Sequence, residues 1–161
     1  MILVTTAILA LYLIPVNTGL DTDPYADTMR WRVLIQYHAD APALPPSLLG
    51  GIVFVESRGD PYAVSGVGAI GLAQVMPRET GFPRRPIATH LRDPNTNLHW
   101  AKLIFLWHYN TCGKWLPGAL ASYAGASDKY CNPTTLGWWY VREVLDAQQH
   151  FIILDYKGGL W

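Results

Sequence analysis

Along much of the chain, apolar residues return every three or four positions, the spacing of one face of an α-helix, and prolines and glycines divide the stretches in which they do so. The segment ADTMRWRVLIQYH, residues 26–38, reads as a helix of about three turns with Met29, Val33, Leu34 and Tyr37 on one side. Pro42, Pro45 and Pro46 interrupt it, because proline cannot continue a helix interior but suits a linker and a first turn. The next helix is PSLLGGIVFVES, residues 46–57, followed by Gly59 where a left-handed turn is expected. Leu48, Leu49, Ile52, Val53 and Glu56 share one face of it, so a carboxylate projects among apolar side chains and should be partly buried.

Residues 58–71, RGDPYAVSGVGAIG, have the glycines of a loop or short hairpin, and residues 72–94 hold too many prolines for long regular structure. Helical spacing resumes in NTNLHWAKLIFLWHYNTCG, residues 95–113, with Asn95 or Asn97 as the expected cap and Gly113 as the stop. Two more helices are expected around LPGALASYAGA, residues 116–126, and TTLGWWYVREVLDAQQHF, residues 134–151; residues 152–161 receive no assignment. The expected fold class is mainly α, a helical bundle around a cleft with an irregular or hairpin loop after Glu56.

The first twenty residues carry no charged side chain, and Arg30 is the first basic one. Their apolar part would reach roughly 24 Å as a helix, short of the ~30 Å hydrocarbon core. It lacks the basic start and small-residue cleavage site of a signal peptide, so a membrane-associating or export segment is expected at 1–20, with a buried core helix as the alternative. Residues 21–161 form the expected catalytic body.

With 161 residues, half of them hydrophobic, the chain can build one sizeable core. Twelve basic residues balance twelve acidic ones, which removes the argument for nucleic acid as a partner and favours a neutral substrate. Arg78, Arg84 and Arg85 in RETGFPRR are read as a solvated surface or as contacts to peptide stems. Seven Trp and nine Tyr serve either core packing or a cleft that presents flat rings with polar edges. No pair among His38, His90, His99, His108 and His150 has metal-ligand spacing, and no metal or cofactor is expected. Cys112 and Cys131 form either a disulfide, if the body lies outside the reducing cytosol, or two buried thiols.

Burial and the negative end of a helix dipole both favour the protonated form of Glu56, the form that can protonate a glycosidic oxygen. The stretch around it, ESRGDPYAVSGVGAIGLAQVMP, resembles the catalytic region of the soluble lytic transglycosylase family, lysozyme-like enzymes that cleave peptidoglycan. Glu56, Ser57, Pro61, Ser65, Gly68, Ala69, Gly71, Leu72, Gln74, Met76 and Pro77 stand at that family's spacing. DPNTNL (93–98), ALASYAGA (119–126) and YVREVL (140–145) are similar to its later motifs.

The resemblance implies an α+β lysozyme-like fold, Glu56 as general acid and then base, and substrate contacts by Ser57, Ser65, Gln74, Met76 and Tyr123, with Tyr123 facing the carboxyl. It implies glycan strands as partner, 1,6-anhydromuramoyl ends as product, and action in the periplasm or envelope or on a phage particle, with virion or secretion-apparatus proteins as further partners. Asp60 stands where the family has Asn, Ala73 where it has Met, and no Asn follows Tyr123; Ala73 should leave room at the cleft floor. Asp60 supplies a possible second carboxylate, so a hydrolytic muramidase using Asp60 or Glu79 stays open, as does a glycan-binding component with a decayed site.

Overall fold

The computed structural model describes residues 23–39 and 41–156, so the expectation for residues 1–20 lies outside the described residues. Among the described residues six α-helices follow one another: α1 (Ala26–Met29), α2 (Arg32–His38), α3 (Pro46–Ser57), α4 (Pro94–Thr111), α5 (Leu116–Tyr123) and α6 (Thr135–Tyr156). Only isolated β-bridges occur among the described residues, two of them, Val64 with Ile70 and Ile70 with Val75, inside the loop after α3. The proline-rich stretch holds two 3-10 turns, Arg78–Thr80 and His90–Arg92.

Helix α3 is the axis of the molecule. Leu48, Leu49, Gly50, Gly51, Ile52, Val53, Phe54 and Ser57 are all buried, so the helix is covered on every side rather than along one stripe. α2, α5 and α6 share with α4 a core that includes Ile35, Phe105, Leu120, Tyr140 and Val144. α6 runs along α3, and Gly51 permits the close approach: a Cβ there would stand 2.6 Å from the Val144 carbonyl oxygen. A glycine in a helix interior is intrinsically unfavourable by about 1 kcal/mol, which this packing offsets.

Several boundaries differ from the sequence pattern. The single helix expected over 26–38 breaks at Arg30 and Trp31, where the Trp31 indole N–H reaches across to donate to the Gly59 carbonyl at 2.8 Å. The buried side holds Thr28, Ile35 and His38, while Val33 and Tyr37 are exposed. The left-handed turn after α3 begins at Arg58 (φ 57°), one residue ahead of Gly59. The cap of α4 is Asp93, whose carboxylate accepts from the Thr96 N–H at 2.7 Å, and not Asn95 or Asn97. α6 continues through Ile152 to Tyr156. Among the described residues no helix is long and apolar enough to cross a membrane.

Cys112 and Cys131 form a disulfide, with Cα atoms 5.6 Å apart, that ties the end of α4 to the loop after α5. The bridge closes a loop of sequence separation 19, for which chain entropy predicts about 3 kcal/mol of stabilisation. Replacing both cysteines by alanine is expected to lower the unfolding free energy in urea by about that amount. Dithiothreitol should weaken the parent protein equally and leave the double variant unaffected.

Candidate active site

Glu56 lies in the last turn of α3 and is partly buried. Its Oε1 accepts a hydrogen bond of 2.7 Å from the hydroxyl of Tyr140, which projects from α6 and is itself 2 % exposed. Burial raises the Glu56 pKa from 4.5 to about 7, and the Tyr140 bond, which favours the carboxylate, opposes part of that rise. Tyr123 and Tyr140 are held well above the ordinary tyrosine range, first by burial and then by the nearby Glu56 charge, so both stay protonated donors. Neither Asp60 nor Glu79 contributes to the electrostatics at Glu56.

The loop after Glu56 is held from below by buried polar groups. Ser57 is 5 % exposed; its hydroxyl donates to the Leu72 carbonyl at 2.7 Å and accepts from the Gly59 N–H at 3.1 Å. Ser57 therefore fastens the loop to α3, and its expected place among the substrate contacts is corrected: its hydroxyl lies beneath the surface, already committed to backbone.

Asn97, fully buried on α4, does more than any other side chain for this loop. Its amide donates to the Ile70 and Leu91 carbonyls at 2.8 Å each, and its oxygen accepts from the Ala73 N–H at 2.9 Å. Gly71 (φ +78°) sits against that amide and against the Leu91 carbonyl, where no Cβ would fit.

Ser65 and Gln74 line the upper part of the loop and keep some exposure. The Ser65 oxygen accepts from the Ala69 N–H at 2.9 Å, which leaves its hydroxyl proton to donate. Gln74 adopts a left-handed backbone (φ 47°), and its amide nitrogen donates to the carbonyls of Ala63 (3.2 Å) and Gly71 (3.0 Å), so its side-chain oxygen is turned to accept. Met76 is partly buried beside them.

Tyr123 donates its hydroxyl to the Ala73 carbonyl at 2.8 Å, while Tyr140 takes the direct bond to Glu56. Ala73 is fully buried within the core and leaves no room at a cleft floor, contrary to the reading from its sequence position. Asp60 is exposed and accepts from the Tyr62 N–H at 2.8 Å. Arg78 and Arg84 are exposed, whereas Arg85 is partly buried and donates to the Met76 carbonyl at 3.3 Å, so of the two readings of this cluster, solvated surface or contact with peptide stems, the first does not describe Arg85.

A cavity of about 620 Å³ lies between α2 and α4, and no residue of the Glu56 loop lines it. Among the described residues no group of three His, Cys, Asp or Glu side chains could hold a metal ion.

Sequence reasoning missed Tyr140 and Asn97 as site residues. Both fall within segments quoted for the family resemblance, YVREVL and DPNTNL, and that was the available signal.

A family profile described as Transglycosylase SLT domain matches residues 33–132, more than half of the chain. Membrane-bound lytic murein transglycosylase C of Actinobacillus pleuropneumoniae serotype 5b is 40% identical over 73 residues, which cover 40% of this chain and 20% of the relative. Membrane-bound lytic murein transglycosylase E of Buchnera aphidicola is 38% identical over 76 residues, 42% of this chain and 34% of the relative. The endo-type membrane-bound lytic murein transglycosylase A of Klebsiella pneumoniae is 30% identical over 83 residues, 47% of this chain and 41% of the relative. The chain thus spans less than half the length of these curated relatives.

The raised pKa of Glu56 makes a testable statement about stability. The folded protein holds this proton more tightly than the unfolded chain, so the stabilisation is full below pH 4.5 and is lost as pH rises through about 7. The loss amounts to roughly 3 kcal/mol. Glu56→Gln is expected to abolish it, making the variant more stable than the parent at pH 8 and close to it at pH 4 in urea titrations. Tyr140→Phe, which removes the opposing bond, should shift the midpoint of the parent's decline to higher pH.

Proposed function

This chain belongs to the Transglycosylase SLT domain family, and from that premise we propose that it cleaves the β-1,4 bond between N-acetylmuramic acid and N-acetylglucosamine in peptidoglycan without water. The observation that carries the reading is the partly buried carboxyl of Glu56, bonded by Tyr140 and raised to about 7 by burial, while Asp60 and Glu79 are both exposed. Ordinary glycosidases need a second carboxyl as nucleophile or base. Here the substrate supplies the missing group.

Protonated Glu56 donates to the glycosidic oxygen as the bond to the anomeric carbon breaks, and the sugar passes through an oxocarbenium-like state. The carboxylate so formed then takes the proton of the same sugar's 6-hydroxyl, whose oxygen closes on the anomeric carbon to give a 1,6-anhydromuramoyl end. The proton returns to Glu56 and the cycle balances.

Tyr140 supports both halves, since its hydroxyl stabilises the carboxylate between the two transfers while burial restores the acid afterwards. The free hydroxyl proton of Ser65 and the side-chain oxygen of Gln74 offer a donor and an acceptor to a neutral sugar, and Met76 an apolar edge. The hydrolytic alternative through Asp60 or Glu79 has less support, because both are exposed and Asp60 is engaged by its own turn.

An extracytoplasmic site of action at the cell envelope accords with the disulfide and with the membrane-bound relatives. Neither observation favours a phage particle.

Glu56→Gln is expected to reduce release of soluble fragments from purified sacculi by at least about a thousandfold, on the scale of losing general acid catalysis and more. Mass spectrometry of the parent's products should show anhydro ends; reducing muramic acid ends would instead establish hydrolysis. Turnover should fall as pH rises through about 7, because the acid form of Glu56 starts the reaction.

A further inference from the structure

Residues 23–31 stand ahead of the stretch that the family profile matches, yet they pack against the start of the loop after Glu56. Gly59 is buried and left-handed (φ +83°), and a Cβ there would stand 2.6 Å from the Asp27 carbonyl oxygen and from the Thr28 nitrogen. The backbone of α1 therefore rests directly on this turn. At the other end of the segment, the Trp31 indole N–H donates to the Gly59 carbonyl at 2.8 Å.

A stack of rings holds the first residues of the segment. Tyr25 lies between Phe54 of α3 and His150 of α6, with ring centres 4.0 Å and 3.8 Å away, and the Arg58 guanidinium lies 4.0 Å from the centre of the same Phe54 ring. Tyr25 and Met29 pack on a small apolar cluster of Phe54, Ala147 and Phe151 that is separate from the main core. A short segment held by its own cluster can open locally while the main core stays folded.

From Gly59 the hold passes inward. The Gly59 N–H donates to the Ser57 hydroxyl oxygen, and that hydroxyl donates to the Leu72 carbonyl. Next in the chain, the Ala73 carbonyl fixes the hydroxyl of Tyr123, which feels the Glu56 charge, and the left-handed Gln74 follows. A series of contacts thus runs from Trp31 to the residues beside the acid.

We propose that residues 23–31 clamp the loop after Glu56 in its working shape, and that Trp31 and Tyr25 are positioning residues that act through Gly59 and Phe54 rather than on the substrate. The proposal rests on the glycan-cleaving reading above and adds to it a dependence: turnover requires the segment to be docked, so displacing it lowers activity without unfolding the body.

The test uses Trp31→Phe, which removes the indole donor, and Tyr25→Ala, which removes the stack; Tyr25→Phe keeps the stack and should match the parent. In amide hydrogen exchange, the first two variants are expected to exchange the Ala69, Ala73 and Gln74 N–H groups roughly tenfold faster, the scale of one lost contact, with residues 98–105 of α4 unchanged. Their kcat on sacculi should fall by a similar factor. The alkaline fall in turnover, set by Glu56 at about 7, should move to lower pH as the loosened loop admits water to the carboxyl. Tyr123 and Tyr140 beside it stay protonated over this range, and a merely structural role for the segment would not move that limb.

Unchanged exchange at the three amides, exchange that rises equally in α4, or loosened amides with kcat and pH profile unaltered would each overturn the clamp, while cleavage of sacculi by the parent stands. A parent inactive on sacculi, whose three amides still loosen in both variants, overturns the cleavage reading and sustains the hold of the segment on the loop. The two variants act at opposite ends of the segment, so if one fails to fold the other decides.

Discussion

The hydrogen bond between Tyr140 and Glu56 joins the central helix to the long final one at the only place where α3 carries a charge-capable side chain. Its environment sets two opposed demands. Burial pushes the carboxyl towards its neutral form, and the phenolic donor keeps the ionised form within reach. A group balanced in this way can give a proton and take one back near neutral pH, which a fully solvated carboxylate does poorly. α6 also lies close against α3 at Gly51, where a Cβ would meet the Val144 carbonyl.

The loop beside this pair is rigid for reasons that lie beneath it. Asn97, Ser57 and Tyr123 all direct polar atoms at its backbone from the core side, so carbonyls and N–H groups that would be orphaned inside the protein are paired. With the inner side pinned, Ser65 and Gln74 keep hydrogen-bonding capacity on the outer side, where a neutral glycan can use it. Buried polar networks of this kind specify one backbone conformation, including the left-handed Gln74 that the loop could not hold unaided.

Much of this was legible from residue spacing. The run from Leu48 to Glu56 announces a helix with a carboxylate among apolar neighbours, and Gly68 and Gly71 announce the turn that follows. The partners of Glu56 were not legible in the same way, because Tyr140 is separated from it by 84 residues and no local rule pairs them. Asn97 looked like a helix cap, since an asparagine near a helix start usually acts on its own backbone; Asp93 takes that role, and Asn97 is released to act on a distant loop. Arg85 stood in a basic cluster that composition assigns to the surface, and only the ring of Phe82 and the Met76 carbonyl draw it inward.

By itself, the sequence determined the helical character of the chain, the position of the acid at a helix end, and the family whose motif surrounds it, because periodicity, proline and glycine act over a few residues and leave a local mark. Tertiary structure alone decided which hydroxyl meets the acid, which serine is a fastener, which arginine is drawn inward, and that the two cysteines meet. Those outcomes depend on how helices distant in sequence pack against one another, and packing is settled by the shapes of whole faces rather than by the identity of any one residue.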